Sequence, residues 1–84
     1  MRQYNFRKGE EFVALVKSRY PTATEVGIYR FEDDYSDVLR FTIKGKRWRV
    51  FLDILDTKAD IEDYANYIFT DMDRAFTIMS KEVR

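Results

Sequence analysis

The chain has 84 residues, a formal net charge of zero, and neither histidine nor cysteine. It therefore lacks an ordinary near-neutral general base, a thiolate nucleophile or redox pair, and a thiolate zinc site. The sequence predicts a binding protein without metal or cofactor, and not an enzyme. Its 15 basic and 15 acidic residues also argue against a protein that holds nucleic acid through bulk charge.

A single domain is predicted over residues 1–84, with an ordered core over residues 5–81, because no repeat or linker divides the sequence. The first helix is predicted over residues 10–20, where Phe12 and Val16 begin an apolar stripe. Pro21 ends this helix, since the residue before a proline disfavours helical backbone. No apolar run is long enough for a membrane span or a signal peptide, so we expect a soluble, cytoplasmic protein.

Three strands are predicted next, over residues 25–32, 37–44 and 46–54, because β-branched and aromatic residues are frequent there and turn-type residues separate the segments. They form an antiparallel meander, in which Gly45 supplies the second turn. The last helix is predicted to begin at Thr57, which would form a capping pair with Asp60. Its apolar stripe consists of Ile61, Ala65, Ile68, Met72, Ala75 and Met79.

The predicted fold is α+β, in the order α-β-β-β-α, with both helices on one face of a three-stranded sheet. This order is similar to that of double-stranded RNA-binding domains. In that family the second helix begins with a lysine cluster that contacts phosphates, whereas residues 57–63 are mostly acidic here and only Lys58 matches. The resemblance is one of topology and implies no RNA-binding function.

The open face of the predicted sheet is basic, because strand alternation directs Trp48, Val50 and Leu52 inward. The outward side chains are Arg40, Lys44, Arg47, Arg49 and Phe51. Lys46, at the turn, is predicted to line the same face. Charged residues on this face also keep a sheet soluble, and that simpler interpretation stays open.

The first strand is ambiguous, because Val26 and Ile28 alternate with Tyr29 and Phe31, and either pair could face the core. If the two aromatic residues face outward, rings lie among the basic groups, and such a platform suits single-stranded nucleic acid. If they face inward, most of the platform is lost.

The second helix carries more apolar residues than one sheet can cover, which makes Tyr67, Phe69 and Phe76 candidate anchors for a partner or a weak homodimer. The alternative is that the sheet and the first helix wrap this helix completely. Carboxylates are the remaining catalytic candidates. Residues 32–34 and Asp37 offer oxygen ligands to a hard cation but lack EF-hand spacing, so a polar turn is favoured.

These observations predict a small non-enzymatic module that binds a protein partner stoichiometrically, as an inhibitor or an adaptor. One form of this prediction is a phage-type inhibitor of host machinery such as a defence system. The alternative is RNA or single-stranded DNA binding through the basic open face. No membrane partner is expected, and the chain is predicted to be a monomer or a weak homodimer.

Overall fold

The computed structural model describes residues 2–3, 6–30 and 36–82, with side chains for residues 6–30 and 36–77. The elements are, in chain order, β1 (Arg2–Gln3), α1 (Arg7–Arg19), β2 (Thr24–Arg30), β3 (Asp37–Ile43), β4 (Lys46–Leu52), a 3₁₀ turn (Leu55–Thr57) and α2 (Ile61–Glu82). The predicted α+β fold is confirmed: β2, β3 and β4 form an antiparallel meander against which both helices pack. The two-residue β1, which was not predicted, extends the sheet beside β2.

The core lies between one face of the sheet and the two helices. Ile28 is opposite Leu39, and Leu39 is opposite Val50, so these three side chains share the face that packs against the helices. The buried residues of the core cluster are Phe12, Val16, Ile28, Leu39, Phe41, Leu52, Leu55, Ile61, Ala65, Ile68, Phe69 and Met72. No helix in the described part of the chain is long and apolar enough to cross a membrane.

α1 ends at Arg19, as predicted from Pro21, but it begins at Arg7, three residues earlier than expected. A Cβ at Gly9 would lie 2.6 Å from Cε1 of Phe6, so a larger residue there would displace that ring from the first turn.

α2 begins at Ile61, four residues later than predicted. The predicted capping pair was wrong: Asp60 alone caps the helix, and its Oδ1 accepts a hydrogen bond from the Asp63 amide at 3.0 Å. Thr57 instead belongs to the 3₁₀ turn, where its hydroxyl donates to the Ile54 carbonyl at 2.7 Å. Ala75, predicted on the apolar stripe, is exposed, and the side chain of Met79 lies outside the described residues.

Tyr20 connects the two helices. Its hydroxyl donates to Oδ1 of Asp73 at 2.7 Å, and Arg19 forms an ion pair with the same carboxylate. Burial and, next, the hydrogen bond to Asp73 raise the pKa of Tyr20 above its ordinary value of 10.0. The folded state therefore retains this phenolic proton at a pH where the unfolded chain loses it.

We expect the Tyr20→Phe variant to lose less stability than the wild type in alkaline solution. A tyrosine whose pKa is raised on folding adds to the free energy of unfolding, and this contribution is fully present below about pH 10, the ordinary pKa of tyrosine. The contribution is lost as pH rises from there through the folded-state pKa. Urea unfolding of both proteins from pH 8 to pH 11.5 measures this difference. Parallel decreases in their free energies of unfolding would contradict it.

Candidate binding face

The sheet face opposite the helices is formed by alternate residues of β2, β3 and β4. Arg40 lies opposite Arg49 and Thr42 lies opposite Arg47. Val38, which is buried, lies between its cross-strand partners, Tyr29 and Phe51. We call this surface the arginine face and define it by Tyr29, Arg40, Thr42, Arg47, Arg49 and Phe51. One end of it is basic, and the other is an apolar row across three strands.

The orientation of Tyr29, which strand alternation left open, is outward. Ile28 is buried in the core, so its neighbour Tyr29 lies on the arginine face. Gly27 lies beneath the tyrosine ring, because a Cβ there would be 3.2 Å from Cε1 of Tyr29. The guanidinium group of Arg40 covers the ring at 5.1 Å from its centroid. Phe31, the other ambiguous aromatic residue, lies outside the described residues.

The three arginines of this face are exposed, and none of them forms a salt bridge within residues 6–30 and 36–77. Arg40 and Arg49 are direct cross-strand neighbours, a placement in which like charges destabilise a sheet. The Arg49 guanidinium lies 5.6 Å from the centroid of the Phe51 ring, and Phe51 is 56% exposed. The sheet thus presents guanidinium groups supported by aromatic rings.

A shallow depression of about 210 Å³ opens at the basic end of the face. Its lining residues are Glu25, Tyr29, Arg40, Phe41, Thr42, Arg47 and Trp48. Glu25 lies at the irregularity in β2 and has a positive φ of 54°. The depression is wide enough for one side chain of a partner, and its charged lining residues are Arg40, Arg47 and Glu25.

The two predicted lysines are placed differently from the arginines. Lys44 is exposed in the turn between β3 and β4, where Lys44 and Gly45 have φ values of 52° and 77°, as in a type I′ hairpin. Lys46 pairs with Ile43 and is therefore on the helix side of the sheet, where its Nζ lies 4.6 Å from the centroid of the Trp48 ring. Its predicted place on the open face was wrong.

Among the predicted helix anchors, only Tyr67 is strongly exposed, at 64%; its ring stacks on Tyr64. Phe69, a candidate anchor, is only 5% exposed and lies 6.1 Å from Phe12 and 5.6 Å from Tyr20, measured between ring centroids. Its position does not support a role as an anchor, because α1 covers the flank of α2 on which Phe69 lies, as in the alternative interpretation.

Phe76 is also engaged within the fold and is only partly exposed. Its ring lies edge-on to Trp48 at 4.8 Å and to Phe41 at 6.4 Å, measured between centroids. These contacts hold the ring against the end of the sheet. Phe76 therefore contributes to the core, and its expected role as an accessible anchor is not supported by its position.

Sequence reasoning missed a buried ion pair between Arg30 and Asp37. Asp37 is fully buried on the helix side, and its carboxylate accepts hydrogen bonds from Arg30 Nε at 2.9 Å and from the Leu55 amide at 2.9 Å. The signal was available, because Asp37 is two residues before the inward-facing Leu39. The other carboxylates of the hypothetical cation cluster, residues 32–34, lie outside the described residues.

The acidic residues before α2 have structural partners. Asp53 pairs with Lys58 at 2.9 Å, and Asp56 Oδ2 lies 3.4 Å from Nη2 of Arg30. The hydrogen bond to Asp53 raises the pKa of Lys58, whose Nζ also lies 4.6 Å from the centroid of the Tyr64 ring. Lys58, the one position shared with the RNA-binding domains, is thus engaged within the protein.

Comparison of the chain with protein-family models, with curated proteins and with solved structures finds no match. The arginine face combines three arginines that form no salt bridge within the described residues with aromatic rings that lie against two of them, on two regularly paired strands.

Proposed function

We propose that this protein is a non-enzymatic binding module that occupies an acidic surface of a protein partner with its arginine face. The observation that supports this proposal is the placement of Arg40, Arg47 and Arg49 on one sheet face without a carboxylate partner in the described residues. Acidic groups of a partner would relieve the repulsion between Arg40 and Arg49. Binding would then provide the compensation that the free fold lacks.

The chemistry of the arginine side chain favours carboxylates as the groups that it meets. A guanidinium group is planar and donates two parallel hydrogen bonds to one carboxylate. Stacking on Tyr29 and Phe51 restricts Arg40 and Arg49 before a partner arrives, which reduces the entropy lost on binding. Arginine and tyrosine are also enriched among the residues that dominate the energies of protein interfaces.

Two features favour a protein partner over nucleic acid. The chain has no net charge, so it lacks the long-range attraction to phosphates on which most of that affinity depends. In addition, the Tyr29 ring rests on Gly27 and is covered by Arg40, so a nucleobase would have to displace the guanidinium group in order to stack there. An inhibitor or an adaptor that acts one-to-one fits this arrangement.

The proposal is tested by capture of partners from native-host lysate, with and without nuclease, followed by affinity measurements on the purified partner. We expect a protein that survives nuclease treatment. Reversal of both charges in Arg47→Glu/Arg49→Glu should weaken its binding by at least about 100-fold, because the loss of one partner of a buried charge pair costs roughly 2–5 kcal/mol.

The matched control is Arg7→Glu/Lys17→Glu, which changes the net charge equally but alters exposed residues of α1. We expect it to bind within about threefold of the wild type. Equal loss in both variants, or none in the arginine-face variant, would contradict the proposed site. Capture that disappears with nuclease would instead favour nucleic acid. In that case the slope of log K against log salt concentration should become shallower in the arginine-face variant, by about 0.7–0.9 per lost phosphate contact.

A further inference from the structure

β4 is an edge strand of the sheet. It pairs with β3 over all seven residues without a bulge. Within residues 2–3, 6–30 and 36–82 no strand pairs with its other side. An edge of this kind presents a row of backbone N–H and C=O groups to which an extended segment can add as a further strand. The opposite edge is less regular, because β1 covers the end of β2 and β2 contains an irregularity between Thr24 and Gly27.

The two sides of β4 have different chemistry. Arg47, Arg49 and Phe51 alternate on the arginine face, whereas Trp48 and Val50 lie on the helix side and are partly exposed. A strand added at this edge would therefore place alternate side chains beside guanidinium groups and the others beside apolar groups.

A second copy of β4 does not suit this edge. Antiparallel pairing centred on Arg49 would bring the two copies of Arg49 face to face, and Lys46 and Arg47 add further positive charge to each strand. Basic side chains on an edge strand oppose pairing between copies. The same charges attract an acidic strand.

We propose that β4 receives an extended segment of the protein partner as a fifth strand of the sheet. Acidic residues at alternate positions of this segment would face Arg47 and Arg49, and the apolar residues between them would pack beside Trp48 and Val50. This inference rests on the proposed function and names the kind of partner: a segment of about six to eight residues in which acidic and apolar residues alternate.

The test uses a seven-residue peptide, Thr-Glu-Val-Glu-Val-Glu-Thr with blocked termini, titrated to 5 mM into the intact protein and followed by NMR. We expect shifts centred on β4 and at least about tenfold slower hydrogen exchange at alternate β4 amides, those that point outward. A peptide of the same composition with its three glutamates adjacent is the sequence control, and it should bind more weakly.

Backbone N-methylation distinguishes strand addition from simple charge attraction. Methylating the Glu amides and methylating the Val amides block opposite edges of the peptide, so one methylated peptide should lose binding and the other should keep it. If both bind equally while Arg49→Glu abolishes binding, strand addition is wrong and the proposed arginine face stands. If no peptide binds at 5 mM, the inference is likewise overturned, and the capture experiment judges the proposed function separately.

Discussion

Replacement of Asp37 by alanine is expected to lower the free energy of unfolding by about 3–5 kcal/mol, because the largely buried guanidinium group of Arg30 loses its buried carboxylate partner. The Arg30 side chain is only 13% exposed and donates to both oxygens of Asp37, at 2.9 and 3.3 Å. The Leu55 amide would also lose its acceptor. For a small domain this loss approaches the entire stability.

The double variant Arg30→Met/Asp37→Leu is the control, since it removes both charges and replaces them with apolar groups. We expect it to recover part of the stability lost in Asp37→Ala, because an apolar pair avoids the cost of a buried charge that has lost its buried partner. Asp37→Asn should be intermediate, as it keeps an acceptor for the Leu55 amide. Urea unfolding at pH 7 measures all three, and a loss below about 1 kcal/mol in Asp37→Ala would contradict a structural role for the pair.

Phe69 and Tyr67 should respond in opposite ways to truncation, although sequence reasoning gave both the same role. We expect Phe69→Ala to cost about 3–5 kcal/mol, because it removes a buried ring that contacts Phe12 and Tyr20. Tyr67→Ala should change stability by no more than about 0.5 kcal/mol, since Tyr67 is 64% exposed and loses only its stacking on Tyr64.

Thermal and urea unfolding of the two variants, compared with the wild type, measure these effects. Phe69→Leu is a conservative control that keeps most of the apolar volume, and it should cost less than Phe69→Ala. Similar stability losses for Tyr67→Ala and Phe69→Ala would contradict the packing of α1 over this flank of α2. A Tyr67→Ala variant that folds normally also permits a direct test of this residue in partner binding.

Strand alternation sufficed to predict most of the arginine face. Arg47 and Arg49 alternate with Trp48 and Val50, and once the apolar residues face the helices, the arginines must face away. The same rule places Arg40 beside Arg49 when two strands are joined by a tight turn. These features depend only on the order of residues within a strand and on a two-residue connection, both of which are local.

Features that depend on tertiary packing were not predictable in this way. Whether Phe69 is exposed depends on where α1 crosses α2. The start of α2 depends on a 3₁₀ turn that the distant carboxylate of Asp37 holds through Leu55. Each of these outcomes is set by residues far apart in sequence.

The hydrogen bond from Leu55 to Asp37 also bears on the order in which the chain folds. It joins residues 18 positions apart and closes the base of the β3–β4 hairpin, whose tip is the two-residue turn. Hairpins with short turns form within about 1–10 µs, faster than contacts between distant segments, because little loop entropy opposes them. We therefore expect this hairpin to form early, so that Arg40, Arg47 and Arg49 share one face of the hairpin before the helices pack against its other face.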